Sequence, residues 1–212
     1  MRHCLLGAFW PGLGNASGAR PLYLLICYRC GVYGLINVAV RDLVKTNFGD
    51  EAWESICRES GVTESAFIRM DQHDDAITFA LVDAASVVLG ISTSEVLQAF
   101  GEYWTKFTAE EGYGPLLDAA GDSLPELLQN LDEMHARIGT AFPNFNPPSF
   151  ECLNVTEDSM DLHYRSVRDG LDDLVIGLIR GLGTRFSVEV TVEQTASKGD
   201  GEDHSVFHVQ WH

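Results

Sequence analysis

The pattern of apolar and polar positions divides the chain into three parts. Residues 1–31 show neither a helical nor a strand period. From residue 32 to about 142, apolar side chains recur every three or four residues, and from about 149 to 212 they alternate with polar ones. A period near 3.6 is typical of a helix and a period of two is typical of a strand. The pattern therefore predicts an α+β chain, with a helical part followed by an antiparallel sheet part with packed helices.

The helical part is predicted to contain a succession of helices. The first begins at Val32 in "VYGLINVAVRDLVKTNFG" and ends at Gly49, and others follow in "EAWESICRES", "AITFALVDAASVVLG", "STSEVLQAFGEYWTKFTAEEG" and "YGPLLDAAG". A long helix starts at Ser123, where "SLPE" supplies an N-cap and, at Glu126, a capping-box partner. Glycines punctuate this run of helices at positions 61, 90, 101, 112 and 121, and Gly101 falls within one of the predicted helices.

The sheet part is predicted to open with a hairpin. Its strands are "FECLNV" and "MDLHYRS", joined by "TEDS", and Met160, Leu162 and Tyr164 share one face. A helix follows in "GLDDLVIGLIRGLG". Two more alternating segments, "RFSVEVTVEQTA" and "SVFHVQW", flank the polar loop "SKGDGEDH".

Residues 1–31 contain three arginines and no acidic residue, unlike the acidic remainder. We expect this leader to be unstructured or an artefact of the assigned start, since a GTG codon, nominally Val, can initiate translation in bacteria. The domain would then begin at Val32 and run as one unit over 32–212. Peptides from residues 1–31 in a mass spectrum of the native protein would contradict this expectation.

Charge and cysteine content restrict the partners and the compartment. The formal net charge is −17, which argues against nucleic acid or an anionic membrane surface as a partner. The longest apolar run, "PLYLLICY", is much shorter than the roughly 18 residues of a membrane span. Five unevenly placed cysteines do not form a disulfide framework, so we expect a reducing cytoplasm. Cys27 and Cys30 lack a second ligand pair, and we interpret their spacing as chance.

One titratable residue falls on an apolar helix stripe. His135 lies four residues after Leu131 and three before Ile138, so it is predicted to point inward. It is either a core histidine bonded to a carbonyl group or a metal ligand. No Cys or acidic cluster surrounds it, and a single axial ligand suits haem better than zinc.

Three polar side chains occupy alternate positions near the end of a predicted strand. Tyr164, Ser166 and Arg168 would share one face if the strand continued through them. A phenol, a hydroxyl group and a guanidinium group together suit the two propionates of haem. The other interpretation is an ordinary surface strand with a solvated arginine, and spacing alone does not decide between them.

The chain from Val32 to Trp211 resembles the haem nitric oxide/oxygen binding (H-NOX) family, which comprises the haem domain of soluble guanylate cyclase and stand-alone bacterial relatives. The matching stretches are "VYGLINVAVRDLV", "LVDAASVVLG", "AFGEYW", "EEGYGPLL", "LPELLQNLDEMHARI", "FPNFNPPSFEC", "LHYRSVRDGL" and "VIGLIRGL". The combination of a Tyr-x-Ser-x-Arg motif with a preceding His helix is specific to the family. The resemblance implies that haem b (iron protoporphyrin IX) lies between the helical and sheet parts.

The resemblance also implies roles for individual residues. His135 would be the proximal iron ligand, Pro148 would press on the macrocycle and distort it, and the propionates would be held by Tyr164, Ser166 and Arg168. No cysteine follows Cys152, so we predict no zinc site and interpret the histidines near the C-terminus as surface residues, namely His204, His208 and His212.

The resemblance also implies which residues lie on the distal side of the haem, where a gas would bind, and these residues bear on which gas is preferred. Oxygen-binding relatives have a distal tyrosine that donates a hydrogen bond, and Leu174 stands at the matching position. An apolar residue cannot donate that bond, so we expect nitric oxide and carbon monoxide to bind in preference to oxygen. Trp104 is expected near the same pocket as part of its wall, although its indole N–H is a potential donor.

The resemblance implies a gas sensor and not an enzyme. Nitric oxide would weaken the bond between iron and His135, and the resulting shift of the His helix would be detected by a histidine kinase, a diguanylate cyclase or a chemotaxis receptor. Two alternatives are a gas or oxygen carrier without signalling output and a haem-free interaction module. A peroxidase would need a distal histidine, and the segments around Trp104 and Leu174 contain none.

Overall fold

The computed structural model describes residues 31–142 and 145–212. The predicted leader therefore lies outside the described residues, apart from Gly31. Within them the predicted α+β class is confirmed: a largely helical part precedes a four-stranded antiparallel sheet.

The helical part begins with a two-stranded ribbon that the sequence pattern did not predict. Strand β1 pairs antiparallel with β2, and Val32 lies opposite His73. The elements of this part are β1 (Gly31–Tyr33), α1 (Gly34–Ser60), β2 (Gln72–Asp74), α2 (Asp75–Leu89), α3 (Thr93–Thr108), α4 (Gly114–Asp118), α5 (Leu124–Gln129) and α6 (Leu131–Gly139). A π-helical turn, Ala109–Tyr113, joins α3 to α4.

Glycines act differently from one another along these helices. Gly49 leaves the helical conformation (φ 85°, ψ 176°), so the predicted helix end is a break within α1. Gly61 and Gly90 end α1 and α2 in the left-handed conformation that glycine adopts readily. Gly101 lies inside α3, within the single helix predicted for "STSEVLQAFGEYWTKFTAEEG".

The helix predicted to start at Ser123 is two helices. Helix α5 ends at Asn130, whose backbone (φ −98°, ψ 8°) is not helical and whose side-chain amide donates to the Ala120 carbonyl oxygen at 2.8 Å. Ser123 caps α5, but the Glu126 carboxylate accepts from the backbone N–H of Asp122 and so does not complete the predicted capping box. Helix α6, which carries His135, is consequently short and separate from α5.

The sheet has the order β3–β4–β6–β5, with every neighbouring pair antiparallel. Its elements are β3 (Ser149–Leu153), β4 (Ser159–Arg165), β5 (Val190–Ala196) and β6 (Ser205–Trp211), and α7 (Asp172–Phe186) lies between β4 and β5 in the chain. The predicted β3–β4 hairpin is present, and Met160, Leu162 and Tyr164 are all buried on one face of β4. Arg185 and Phe186, predicted to begin β5, instead complete the last turn of α7.

The two parts meet where α7 crosses α3. A Cβ atom at Gly177 would lie 2.1 Å from the Gln98 carbonyl oxygen, and one at Gly101 would lie 2.4 Å from the Leu174 carbonyl oxygen. Glycine is therefore required for the two backbones to approach this closely. Buried side chains form one cluster in the helical part and a second around the sheet, α5 and α7.

Among the described residues, no single helix is both long enough and apolar enough to cross a membrane. One bent pair, Asp75–Leu89 with Thr93–Asp118, meets the length and composition requirements together across a bend of 114°. Both helices of that pair contribute to the buried cluster of the helical part.

Candidate functional site

A cavity of about 380 Å³ lies between the two buried clusters. Its walls are mostly apolar, with residues such as Val82 and Phe100 from the helical part and Leu127 and Ile179 from the sheet part. This size and character are typical of a small-molecule or cofactor site. The side chains predicted from the sequence as site residues all line it, namely Trp104, His135, Pro148, Tyr164, Ser166, Arg168 and Leu174.

His135 lines this cavity and has a buried nitrogen without a hydrogen-bond partner in the described part of the chain. Its Nδ1 atom is buried and has no hydrogen-bond partner within 31–142 and 145–212. Burial lowers the pKa of His135, and this effect is opposed by the charge of Asp132 and by the backbone of Pro148. Burial thus favours the neutral imidazole, which is the form that binds a metal ion. A buried nitrogen without a partner is costly in a purely structural histidine.

Asp132 attaches the His135 helix to the sheet. Its carboxylate accepts a hydrogen bond from the Phe150 backbone N–H at 2.7 Å and another from the Ser149 hydroxyl group at 3.0 Å. The Phe150 ring lies against both His135 (5.9 Å between centroids) and Tyr164 (5.4 Å). Helix α6 and strand β3 are thereby linked within one turn of His135.

The segment after β4 brings the three predicted polar side chains to the cavity without a continuous strand. Strand β4 ends at Arg165, one residue before the predicted end, so the strand does not continue through Ser166 and Arg168 and the shared strand face does not form. A turn replaces it, in which the Ser166 hydroxyl oxygen accepts a hydrogen bond from the Arg168 backbone N–H at 3.0 Å. Burial raises the pKa of Tyr164, and the Ser166 hydroxyl group opposes that shift.

Arg168 is paired and largely buried, which excludes the solvated arginine. Its Nε donates to Asp75 Oδ2 at 2.8 Å and its Nη1 donates to the Asn146 carbonyl oxygen at 3.0 Å. The side chains of Arg168 and Asp75 are only 14% and 17% exposed. The second oxygen of Asp75, Oδ1, is buried without a partner in the part of the chain that the structure describes. Sequence reasoning missed Asp75, since no local pattern relates residues 93 positions apart.

Leu174 and Trp104 lie on the wall that α3 and α7 form together. The Trp104 ring stacks on Phe107 (5.8 Å, 25° between planes) and lies 6.1 Å from the Phe100 ring. Both Leu174 and Trp104 pack against the buried cluster of the helical part. This packing fits the expectation that Trp104 forms part of the cavity wall.

Threonine hydroxyl groups in the cavity wall already donate elsewhere. Thr78 donates to Asn37 Oδ1 at 2.7 Å, Thr105 to the Glu102 carbonyl oxygen at 2.9 Å and Thr108 to the Trp104 carbonyl oxygen at 2.8 Å. A hydroxyl group has a single proton to donate. These three side chains therefore do not offer a free donor to a ligand in the cavity.

The C-terminal histidines are not simply surface residues. His204 is 14% exposed and its Nε2 lies 2.7 Å from His163 Nδ1 on β4, while His208 Nδ1 contacts Asp161 at 2.7 Å. The surface interpretation holds for His212, which is exposed, and is wrong for His204. No group of three or more His, Cys, Asp or Glu side chains suited to a metal ion occurs among the residues the structure describes.

The comparisons with known sequences agree on one family. The family described as Haem-NO-binding matches residues 33–194. Soluble guanylate cyclase gcy-37 of Caenorhabditis elegans is 32% identical over 188 residues, which cover 84% of this chain and 26% of the relative. Soluble guanylate cyclase gcy-31 of the same organism is 30% identical over 163 residues, covering 76% and 23%. The chain thus spans about a quarter of the length of these curated relatives.

Solved structures share the fold. An H-NOX protein from S. oneidensis in the Fe(II)NO ligation state superposes with a TM-score of 0.78 at 18% identity, covering 85% of this chain and 99% of that chain. An unliganded Fe(II) H-NOX protein from K. algicida gives 0.74 at 21% identity, covering 85% and 97%. Because the sequence identities are this low, these two structures show that the fold is shared and nothing further.

Proposed function

This chain belongs to the haem-NO-binding (H-NOX) family, and we propose that it is a haem-based sensor of nitric oxide that signals to a partner protein. Domains of this family bind haem, and the description of the family names nitric oxide as well. The observation that carries the proposal is the cavity between the two parts, where His135 and the Tyr164-x-Ser166-x-Arg168 motif lie on the same walls.

The chemistry of the cavity suits haem b. His135 has a buried nitrogen without a partner, the walls are apolar, and a cation and two hydroxyl groups are available for carboxylates. In this proposal His135 ligates the iron, and Tyr164, Ser166 and Arg168 bind the propionates. Haem would supply a ferrous iron centre able to bind a diatomic gas.

The residues of the α3–α7 wall support nitric oxide and carbon monoxide as ligands. Leu174 has no hydrogen-bond donor, and the threonines of the cavity wall donate elsewhere. Bound oxygen is stabilised by a donor, whereas nitric oxide binds ferrous iron strongly without one.

Signalling would begin at the His135 helix. Helix α6 is short, is separated from α5 at Asn130 and is bonded to β3 through Asp132, and Pro148 immediately precedes β3. A displacement of His135 would therefore move α6 and the start of β3 together. Two arrangements that differ by a few kcal/mol suffice for a sensor.

The partner belongs to the same proposal. We propose residues 32–212 as one sensor domain in the cytoplasm, without catalytic activity of its own, that acts on a histidine kinase, a diguanylate cyclase or a chemotaxis receptor. The curated relatives are named soluble guanylate cyclases, and they are much longer than this chain.

Absorption spectra of the reduced protein test the proposal. Without gas, the wild type should give a five-coordinate ferrous spectrum that changes under nitric oxide and stays unchanged in air. A His135→Gly variant should lose this spectrum and regain it with added imidazole, because imidazole can replace the missing ring. A wild type without a Soret band would exclude haem binding, and a stable oxygen complex would exclude selectivity against oxygen.

A further inference from the structure

The loop between β5 and β6, residues 197–204, lies against the segment that carries Ser166 and Arg168. Lys198 Nζ donates to the Ser166 carbonyl oxygen at 3.0 Å and contacts Asp169 Oδ1 at 2.7 Å. Lys198 thus bridges two points of the turn that follows β4. We call residues 166–170 the propionate turn, since the proposed function places the propionate ligands Ser166 and Arg168 there.

Hydrogen bonds fix the loop that carries Lys198. The Lys198 backbone N–H donates to the Ser205 hydroxyl oxygen at 3.1 Å, and the Ser205 hydroxyl group donates in turn to Asp172 at 2.9 Å. Ser197 accepts from the Gly199 backbone N–H at 3.1 Å and donates to Asp172 at 3.2 Å. Asp172 is the first residue of α7, so the loop is attached to the beginning of that helix.

The far end of the loop is attached to β4 next to Tyr164. The ring centroids of His163 and His204 are 5.0 Å apart, with 2.7 Å between the facing nitrogens. The distance between the centroids equals the distance between the nitrogens plus about one ring radius for each ring. The two nitrogens therefore face each other directly. This geometry is that of an N–H···N hydrogen bond and not of two nitrogens converging on a metal ion. Asp203 contacts the other nitrogen of His204 and orients its ring.

The propionate turn has little packing of its own. It belongs to neither a helix nor a strand, the side chain of Asp169 is 83% exposed and Val167 is 68% exposed. Gly170 has a positive φ of 76°. The Arg168 contacts with Asp75 and Asn146 hold one side of the turn, and the Lys198 donor on the Ser166 carbonyl group restrains its beginning, whereas the exposed ion pair with Asp169 adds little.

We propose that Lys198 is a positioning residue for haem, which holds the Ser166 carbonyl group and thereby keeps Ser166 and Arg168 directed into the cavity. The expected effect on haem retention rests on the proposed function. Under it, retention of haem depends on Lys198, a residue outside the Tyr-x-Ser-x-Arg motif. Its structural premise, restraint of the turn by Lys198, is independent of haem.

Three variants test the role of Lys198. Lys198→Met keeps the length of the side chain and removes the donor, whereas Lys198→Arg keeps a donor and its charge. Lys106→Met is the control, because Lys106 is an exposed lysine on α3 whose one ion pair within the described residues is with Glu110, at 3.9 Å. Thermal unfolding of the haem-free variants establishes that each is folded.

Two measurements are made on each variant. In the haem-free protein, amide hydrogen exchange in residues 166–170 should become faster in Lys198→Met and remain at the wild-type rate in the other two variants. In the haem-loaded protein, transfer of haem to excess apomyoglobin should be roughly five- to tenfold faster in Lys198→Met, as expected for loss of one hydrogen bond that solvent partly screens. Lys198→Arg should restore the wild-type transfer rate.

Wild-type exchange and transfer rates in Lys198→Met would overturn the proposal and make Lys198 a surface residue only. A Lys198→Arg variant that behaves like Lys198→Met would also overturn it, since the donor would then not be the cause. If the wild type binds no haem, the proposed function fails, and the exchange measurement still decides whether Lys198 restrains the turn.

Discussion

At the scale of single residues, the donors and acceptors around the cavity determine what the site can bind. His135 keeps a free nitrogen where burial makes an unpaired polar atom costly, and Arg168 presents its guanidinium group between Asp75 and the cavity. On the α3–α7 wall Leu174 has no donor and the threonine hydroxyl groups are occupied, which leaves the indole N–H of Trp104 as the potential donor among these side chains. The polar groups that the proposed function assigns to haem are thus His135 and the Tyr164–Arg168 segment, with Asp75 beside them.

Leu174→Tyr introduces a donor on that wall. We expect the variant to form an oxygen complex in air, because a phenol hydroxyl group can donate to bound oxygen, with an effect of roughly tenfold or more on oxygen affinity. The absorption spectrum of the reduced protein in air measures it. Leu174→Phe is the control, since it has a similar ring without the hydroxyl group. An oxygen complex in both variants would show that size, and not hydrogen bonding, governs oxygen binding.

At the scale of elements, the close crossing of α3 and α7 holds the two parts together. Gly101 and Gly177 allow it, and Asp173 on α7 accepts hydrogen bonds from Ser94 (2.6 Å) and Gln98 (2.8 Å) on α3. The periodic pattern of the sequence predicted both helices. It did not predict their crossing, because the contacts between α3 and α7 join residues far apart in the chain.

Gly177→Ala should disturb this crossing. Its Cβ atom would lie 2.1 Å from the backbone oxygen of Gln98, so the helices would have to separate, and we expect a loss of about 1–3 kcal/mol in the free energy of unfolding. Urea unfolding of the haem-free protein measures it. Gly139→Ala is the matched control, because the nearest atom to its Cβ would be 3.7 Å away, in ordinary contact. Equal stability of Gly177→Ala and the wild type would mean that the crossing adjusts without cost.

At the scale of the whole molecule, the cavity exists because the helical and sheet parts each bury a separate cluster and leave a space between them. The Asp75–Arg168 ion pair spans this boundary, from the first turn of α2 to the turn after β4. Bound propionates would share Arg168 with Asp75. Under the proposed function, the pair would therefore link cofactor binding to the relative position of the two parts.

Asp75→Asn should separate these contributions. In the haem-free protein we expect the free energy of unfolding to fall by about 1–3 kcal/mol, because Arg168 loses its anionic partner in a largely buried site. With haem the loss should be smaller, since the propionates also pair with Arg168. Urea unfolding in both states measures the difference. Asp118→Asn is the control. It removes the negative charge from the ion pair with Arg185, in which the Asp118 side chain is exposed, and it should have little effect in either state. An equal loss with and without haem would exclude a shared Arg168.

Residue types and periods were sufficient to predict the α+β class, the β3–β4 hairpin, helix α7 and strand β6. They also singled out His135, Tyr164, Ser166 and Arg168, whereas the family resemblance was needed to add Pro148, Trp104 and Leu174; all seven side chains line one cavity. These predictions succeed because amphipathic periods and capping residues act locally, within a few positions along the chain. The assignment of roles to those side chains depended in addition on the resemblance of the whole motif to a family.

The sequence by itself determined the succession of elements and the residue types available for a ligand. Only the tertiary structure decided where α5 ends, how closely α3 and α7 cross, and which partners Asp75, Lys198 and His204 find. The physical reason is that these contacts join residues between 10 and 93 positions apart. No local period records such a contact, because it forms only when the packed elements bring the two side chains together.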